Sequence, residues 1–552
     1  MAVIGLPVSH RNAASFLPEW VVTTDHKRIG VMYITTNILF FIVAGIMALL
    51  MRAQLAQSES TFLGQNSYNQ IFSMHGTTML FFFIIPIGAG FGNYLLPLMI
   101  GARDMAFPRI NAMSYWLIPL AGIILFSSFL TTGGAPAAGW TSYAPLSDAT
   151  FMPMKGVDLW IISITLLGIS SVAGSINMLA TIMTMRAPGM TLSRMPVFVW
   201  SLAVTQVLIL FAVPVLTAAL AMLWMDRNLG TTFFDPRSGG NPVLWQHLFW
   251  FYSHPAVYIM VLPAFGVISE VLPVFTRKPL FGRKAVIYSS VAIGVLGFTV
   301  WMHHMFSTGL NLPLTLFTML ATMSIAVPTG VKMFNWMGTM WGGSISFEPP
   351  MIFAVGFLLV FLIGGIDGVY TAIVPIDYAL NDTYWVVSHI HYVLFGGSVF
   401  GVFSGIYYWY PKITGRFLSK KLALTQAALM FVGMNVAFMP MHVLGLMGMP
   451  RRIATYQSGQ GWDIWNLIST IGAFTVAVGI LVFLVNMIVS SRGPRNAGND
   501  PWQGNTLEWL TSSPPPVENF ETIPQVRSEN PAADVRRDAA LAGGLPASQP
   551  AH

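Results

Sequence analysis

Cysteine is absent from all 552 residues. That excludes disulfides, thiolate-bound copper, iron–sulfur clusters and covalent c-type haem attachment within this chain. Charge is scarce. Asp, Glu, Lys and Arg make up 9% of the sequence, against roughly 25% in a soluble protein. The net charge of +6 does not point to nucleic acid, because the basic residues sit in short loops between apolar runs. No nucleic-acid partner is expected. The N-terminal stretch before Ile29 has no apolar core, so no cleaved leader is expected. There is no repeat with a period of roughly 20–50 residues and no inverted repeat, which counts against a transporter.

What is present is apolar sequence. Hydrophobic residues make up 55% of the chain, and runs of about 20 or more recur, long enough to cross a bilayer. The expected fold class is all-α: a polytopic membrane protein with twelve transmembrane helices. The expected spans are 30–51, 71–100, 113–132, 158–185, 197–225, 245–274, 285–310, 314–343, 352–374, 384–411, 422–448 and 465–491. Residues 1–29 read as a cytoplasmic N-terminal segment, 30–491 as the membrane domain, and 492–552 as a polar, Pro-rich tail, irregular and solvent-facing. Seventeen Lys and Arg lie in the N-terminus, the even-numbered loops and the start of the tail, against six on the other side. The positive-inside rule then places both termini in the cytoplasm.

Histidine is distributed unevenly along these spans. His389 and His391 are one residue apart in an apolar run. A helix turns ~100° per residue, so they leave it on nearly opposite faces and serve two compartments. His75, His254, His303 and His304 fall at a similar depth, in roughly the outer third of the bilayer. His303 and His304 are neighbours and can share a metal with a third imidazole. Tyr258 follows His254 by four residues, on the same helix face. Alone, that pair reads as core packing; beside five other histidines it reads as a redox site. His10, His26, His247, His442 and His552 fall in loops, tails or span edges and default to surface or packing roles.

The runs YNQIFSMHGTTM, FYSHPAVYIMVLPAFG, WMHHMFSTG, VPTGVKMFNW, NDTYWVVSHIHYVL and GMPRR resemble subunit I of haem–copper oxygen reductases of the cytochrome c oxidase type. The resemblance extends from about Trp20 to about Pro524. It implies that His75 and His391 are the axial ligands of a low-spin haem A, and His389 that of a high-spin haem A. It also implies that His254, His303 and His304 hold the copper, with Tyr258 cross-linked to His254. Arg451 and Arg452 correspond to partners of the haem propionates and Arg52 to the partner of a haem formyl group; otherwise they would be an exposed loop pair and an outward-snorkelling cation. The implied reaction is reduction of O₂ to water with proton pumping, in a prokaryotic plasma membrane. The implied partners are subunit II carrying the electron-entry copper, subunit III, small subunits and cytochrome c.

Two proton routes follow from the resemblance. Lys332 lies inside an apolar span, where a charge costs ~2.5–3.5 kcal/mol on insertion scales; with Thr329 and Ser269 it matches one route. Asp104, with Asn93, Asn111 and Asn177, matches the other. There are departures. Many relatives carry a Glu two residues after the first copper histidine; here Ala256 stands there, preceded by Tyr252 and Ser253. That resembles the branch in which a Tyr-Ser pair relays the proton. Asn381 and Asp382 replace a His-Asp pair at an outer Mg²⁺ site, which leaves Asp382 as its only conventional ligand. Gln54 stands where a carboxylate supports a surface cation in some relatives. A quinol oxidase on the same scaffold is the alternative; Ser67, where such relatives often carry His, weighs against it. Tyr258, Lys332 and Asp104 together weigh against a nitric oxide reductase.

Overall fold

The computed structural model of the chain describes residues 16–523 and 525–542; His10 and His552 lie outside them. Among the described residues the architecture is all-helical, with one isolated bridge between Thr383 and Pro450. Twelve helices are long and apolar enough to cross a membrane: α1 (His26–Gln54), α2 (Gln65–Ile100), α3 (Pro108–Leu130), α4 (Gly156–Thr184), α5 (Val197–Leu229), α6 (Pro242–Thr276), α7 (Arg283–Thr308), α8 (Leu312–Met340), α9 (Pro349–Ala372), α10 (Tyr384–Thr414), α11 (Lys420–Leu446) and α12 (Asp463–Ser491). Every expected span falls on one of them. The largest boundary difference is the start of α2, which begins at Gln65 rather than 71.

Large apolar side chains such as Leu39, Phe211, Leu320 and Phe334 face outward from the bundle, as lipid-facing positions require. The inner helices are α2 and α6. In each, 83% of the most apolar stretch is buried, against 17% in α1 and α8. These two inner helices carry His75 and His254.

Three departures from regular α-helix surround the histidines. Thr78–Ile84 in α2 and Tyr392–Val399 in α10 are π-helical, starting just after His75 and His391 respectively. A π turn admits an extra residue, so side chains below it rotate away from the face that 3.6 periodicity predicts. The end of α7, Trp301–Thr308, is 3₁₀-helical. His303 and His304 therefore diverge by ~120° rather than ~100°. Close backbone approach then fixes α10 against its neighbours. A Cβ on Gly401 would lie 2.6 Å from the Ala264 Cβ of α6, and one on Gly364 of α9 would lie 2.9 Å from Tyr392 and Val393 backbone atoms. Glycine at these two positions lets α6 and α9 close on the helix that carries His389 and His391.

The tail differs from its expected form. Leu507, Glu508 and Trp509 form a short buried turn, and Pro531–Ala542 is a helix. The Lys412 ammonium donates to the carbonyls of Asn499 and Thr511, both at 2.8 Å. The Asn519 amide bridges His26 and the Ala102 carbonyl. Polar sequence is compatible with burial here because the tail's backbone carbonyls satisfy cations at the ends of the spans.

Glu508 accepts from Trp409 Nε1 at 3.1 Å and from the Thr506 hydroxyl at 2.8 Å. Burial pushes its carboxyl from 4.5 up to about 7. An acid whose folded pKa is raised binds more protons docked than undocked between those values, so docking weakens as pH rises through that window. Tail docking should be strongest below about 4.5 and loosen up to about 7. Glu508→Gln should remove this dependence. Hydrogen exchange of the tail in the purified complex, followed against pH, measures it; protection that rises with pH would contradict the assignment.

Candidate metal centre

On α6, His254 and Tyr258 lie one turn apart, with ring centroids 4.7 Å apart. Pro255 follows His254 inside the helix; lacking an N–H, it frees a carbonyl one turn earlier and loosens the ladder there. The 3₁₀ turn of α7 brings His303 and His304 to the same place. Ring centroids are 4.6 Å from His254 to His303 and 4.0 Å from His303 to His304. One nitrogen from each of the three rings lies within 4.8 Å of the others. His254 Nδ1 and His304 Nε2 face one another at 3.3 Å, a separation that suits two lone pairs only with a proton or cation between them. The His254 Nε2 atom is buried without a hydrogen-bond partner. Trp250 stacks on His304 at 3.8 Å and 12°, which fixes that ring. This three-imidazole donor set, with His254 buried and His303 and His304 half-buried, suits copper, zinc or iron.

The remaining histidines face inward beside this trio. His75 Nδ1 lies 2.9 Å from the Ala44 carbonyl, and His391 Nδ1 2.7 Å from the Val387 carbonyl. Each Nδ1 must donate, which leaves each Nε2 lone pair free for a metal. Phe438 stacks on His391 at 4.2 Å. The two rings are within electrostatic range of each other. On the other face of α10, His389 is within range of both His303 and His304. One helix thus serves two compartments, one shared with His75 and the other with the copper-type trio.

A family model described as cytochrome c and quinol oxidase polypeptide I matches residues 28–475. The chain belongs to this family of haem–copper oxidases. It is 49% identical over 524 residues to cytochrome c oxidase subunit 1 of Thermostichus vulcanus, covering 95% of this chain and 94% of that protein. It is 53% identical over 500 residues to cytochrome c oxidase subunit 1 of Synechocystis sp., covering 91% and 90%. The fold is also similar to a structure described as a heme-copper terminal oxidase dimer, with a TM-score of 0.68 at 18% identity over 86% of this chain and 85% of that one. The polypeptide is an integral membrane oxidoreductase, the catalytic subunit of an oxidase complex with haem and copper centres.

The other expected site residues of this oxidase subunit fall in several further places. Arg52 is buried rather than snorkelling outward. Its Nη2 donates to the Asn466 carbonyl at 2.7 Å, while Nε and Nη1 are buried without partners. Two unspent donors of a buried guanidinium fit an oxygen of a bound group. Arg451 pairs with Asp382. Burial, and then the adjacent Arg451, push the Arg452 guanidinium down to about 10, the environment of a cation short of anionic partners. Asn381 donates to the Ser307 hydroxyl at 3.0 Å. The Gln54 amide donates to the Ser60 and Ala454 carbonyls, both at 2.8 Å, so those oxygens are already engaged.

Lys332 donates to the Val286 carbonyl at 2.8 Å and to the Ser290 hydroxyl at 2.6 Å. Its ammonium engages α7 rather than Ser269 or Thr329; Ser269 accepts from Trp336 Nε1 and Thr329 bonds the Ile325 carbonyl. Ser290 was not legible as a partner, since a serine inside a span has no distinguishing pattern. On the other route, burial raises the Asp104 carboxyl above its usual range. The Asn177 side chain caps the Phe107 N–H at 2.8 Å, and Asn93 Oδ1 and Asn111 Nδ2 are buried without partners. A cavity of about 40 Å³ is lined by Asn93, Tyr33, Ser170, Ser171, Gln206 and Phe81. At ~10–15 Å³ each it has room for about three or four waters. Phe81 in turn stacks on Tyr252 at 6.1 Å. Ser170, Ser171 and Gln206 were not anticipated from sequence, because each lies singly in an apolar helix.

Replacing His303 by Ala should lower bound copper from about one equivalent to near zero, since two imidazoles hold a cation far more weakly than three. Metal analysis of the purified complex reads this. Copper retained at full occupancy would contradict the trio.

Proposed function

We propose that this oxidase subunit takes electrons from cytochrome c, reduces O₂ to two waters, and moves additional protons outward. The observation that carries the reading is the meeting of His254, His303 and His304 beside Tyr258, with His389 opposite. Because the chain has no Cys, the entry copper centre belongs to a partner, subunit II; subunit III and small subunits complete the proposed complex. Each turnover uses four electrons, four protons and one O₂ to form two waters. When bound, the two haems and the copper supply the electron path and the oxygen-binding site.

The residues then divide the work. His75 and His391 would hold the low-spin haem A through their free Nε2 atoms, and His389 the high-spin haem A. His254, His303 and His304 would hold copper. The spare nitrogens of Arg52 fit a formyl oxygen, the feature that favours an A-type haem. Arg451 and Arg452 would receive propionates at the outer rim. Asp382 already pairs with Arg451, so a Mg²⁺ ion there would compete with a guanidinium; we assign Asp382 to that pair. Tyr258 holds a proton at its phenol oxygen, replenished from Lys332 through the route that includes Thr329 and Ser269. The Asp104 route, through Asn93, Asn111 and Asn177, feeds the water-sized cavity, and Tyr252 with Ser253 passes the proton on by hydrogen-bond exchange. The excess of loop Lys and Arg on one side supports both termini in the cytoplasm and the histidine layer toward the outside, and the prokaryotic relatives support a plasma membrane.

Oxygen uptake by the purified complex tests the donor. Turnover is expected with reduced cytochrome c and not with a quinol; the reverse would overturn the reading. For the relay, Tyr252→Phe should slow turnover at least ten-fold and abolish pumping, measured as acidification outside oxidase vesicles. Full turnover with intact pumping would exclude Tyr252.

A further inference from the structure

Three spans meet at a buried polar contact that the proposed chemistry does not use. Asp367 of α9, Ser388 of α10 and His442 of α11 are joined side chain to side chain. His442 Nε2 is 2.7 Å from Asp367 Oδ2, and His442 Nδ1 is 3.0 Å from the Ser388 hydroxyl. The hydroxyl is also 2.7 Å from the Phe438 carbonyl. A serine has one proton to give, and the carbonyl can only accept, so Ser388 donates to Phe438 and accepts from His442 Nδ1–H. His442 then meets Asp367 with Nε2. At that distance a hydrogen must lie between them, on one partner or the other. The contact is therefore a neutral, directional unit, with the side chains of His442 and Asp367 exposed by only 9% and 8%. The edge of Trp385 closes over the His442 ring at 4.7 Å.

The contact lies beside His389, and His389 differs from its fellow haem-type histidines. The Nδ1 atoms of His75 and His391 are each held by a backbone carbonyl. His389 Nδ1 is buried and has only a loose contact with the Gly364 carbonyl. That loose tether leaves much of the ring's orientation to the side chains and backbone packed around it. Ser388 is its neighbour in the chain. Gly368, next to Asp367, packs so closely that a Cβ there would lie 3.2 Å from His389 Cε1. The residues bonded to His442 thus flank His389 on two helices.

We propose that Asp367, His442 and Ser388 form a positioning strut for His389, locking α9, α10 and α11 together and setting a fixed dipole behind the ring. They are positioning residues, not catalytic ones, and the inference rests on the reading of His389 as the axial ligand of the high-spin haem. The strut supplements the loose Gly364 contact. It should govern how the ring is presented to the iron, and hence the electronic properties of that haem alone.

The test uses the purified complex with haem and copper content measured. Asp367→Asn keeps shape but changes the hydrogen inventory; Asp367→Leu removes the contact. Both should shift the reduction potential and the CO-difference spectrum of the CO-binding haem, Leu more than Asn, and leave the other haem's band in place. The double variant Asp367→Asn with His442→Gln can form an amide–amide bond, and should return the spectrum toward wild type. Because an Asn amide can still donate to His442 Nε2, the decisive variants are Asp367→Leu and His442→Phe: an unchanged potential and spectrum in whichever of them assembles with full haem and copper content overturns the strut. His389→Ala separates the underlying reading: a CO-binding haem that survives it sinks the ligand assignment, whereas its loss beside silent Asp367 variants sinks only the strut.

Discussion

A buried imidazole has two nitrogens, and each must meet a proton, an acceptor or a metal. That requirement organises this molecule. At His75 and His391, backbone carbonyls consume one nitrogen and aim the other inward. At His254 and His304, two nitrogens face one another at a distance that bare lone pairs would not tolerate. Dispersed in lipid, these groups would be costly. Gathered around cations they would be satisfied, and the helices that carry them are among the most enclosed in the bundle.

The irregular backbone follows from the same demand. The π segment of α2 begins three residues after His75 and that of α10 directly after His391, and the 3₁₀ turn of α7 contains His303 and His304. A regular helix would fix the angle between successive side chains. Changing the turn at the histidines lets the ligand level and the packing below it be set separately, while Gly364 and Gly401 admit the neighbouring backbones.

Twelve spans were legible because a bilayer demands long apolar runs, and the ends moved little because charge marks them. The histidine layer was legible because six imidazoles at one depth are rare. The π and 3₁₀ turns were not, since TMLFFFI and YVLFGGSV differ in nothing from ordinary apolar helix. Nor was the docking of the tail, whose polar sequence reads as solvated until Lys412 and His26 are seen to use its backbone and amides. His442 was read as packing; its meeting with Asp367 depends on three helices converging, which spacing within any one of them does not reveal. Lys332 was found by its cost, but its partner Ser290 was not, because a hydroxyl in a span costs little.

Anomalous scattering from the purified complex at the iron and copper edges tests the central claim most directly. The account predicts two iron peaks, one between His75 and His391 and one beside His389, and a single copper peak within bonding reach of His254, His303 and His304. A copper peak elsewhere, or iron bonded to neither face of α10, would contradict it.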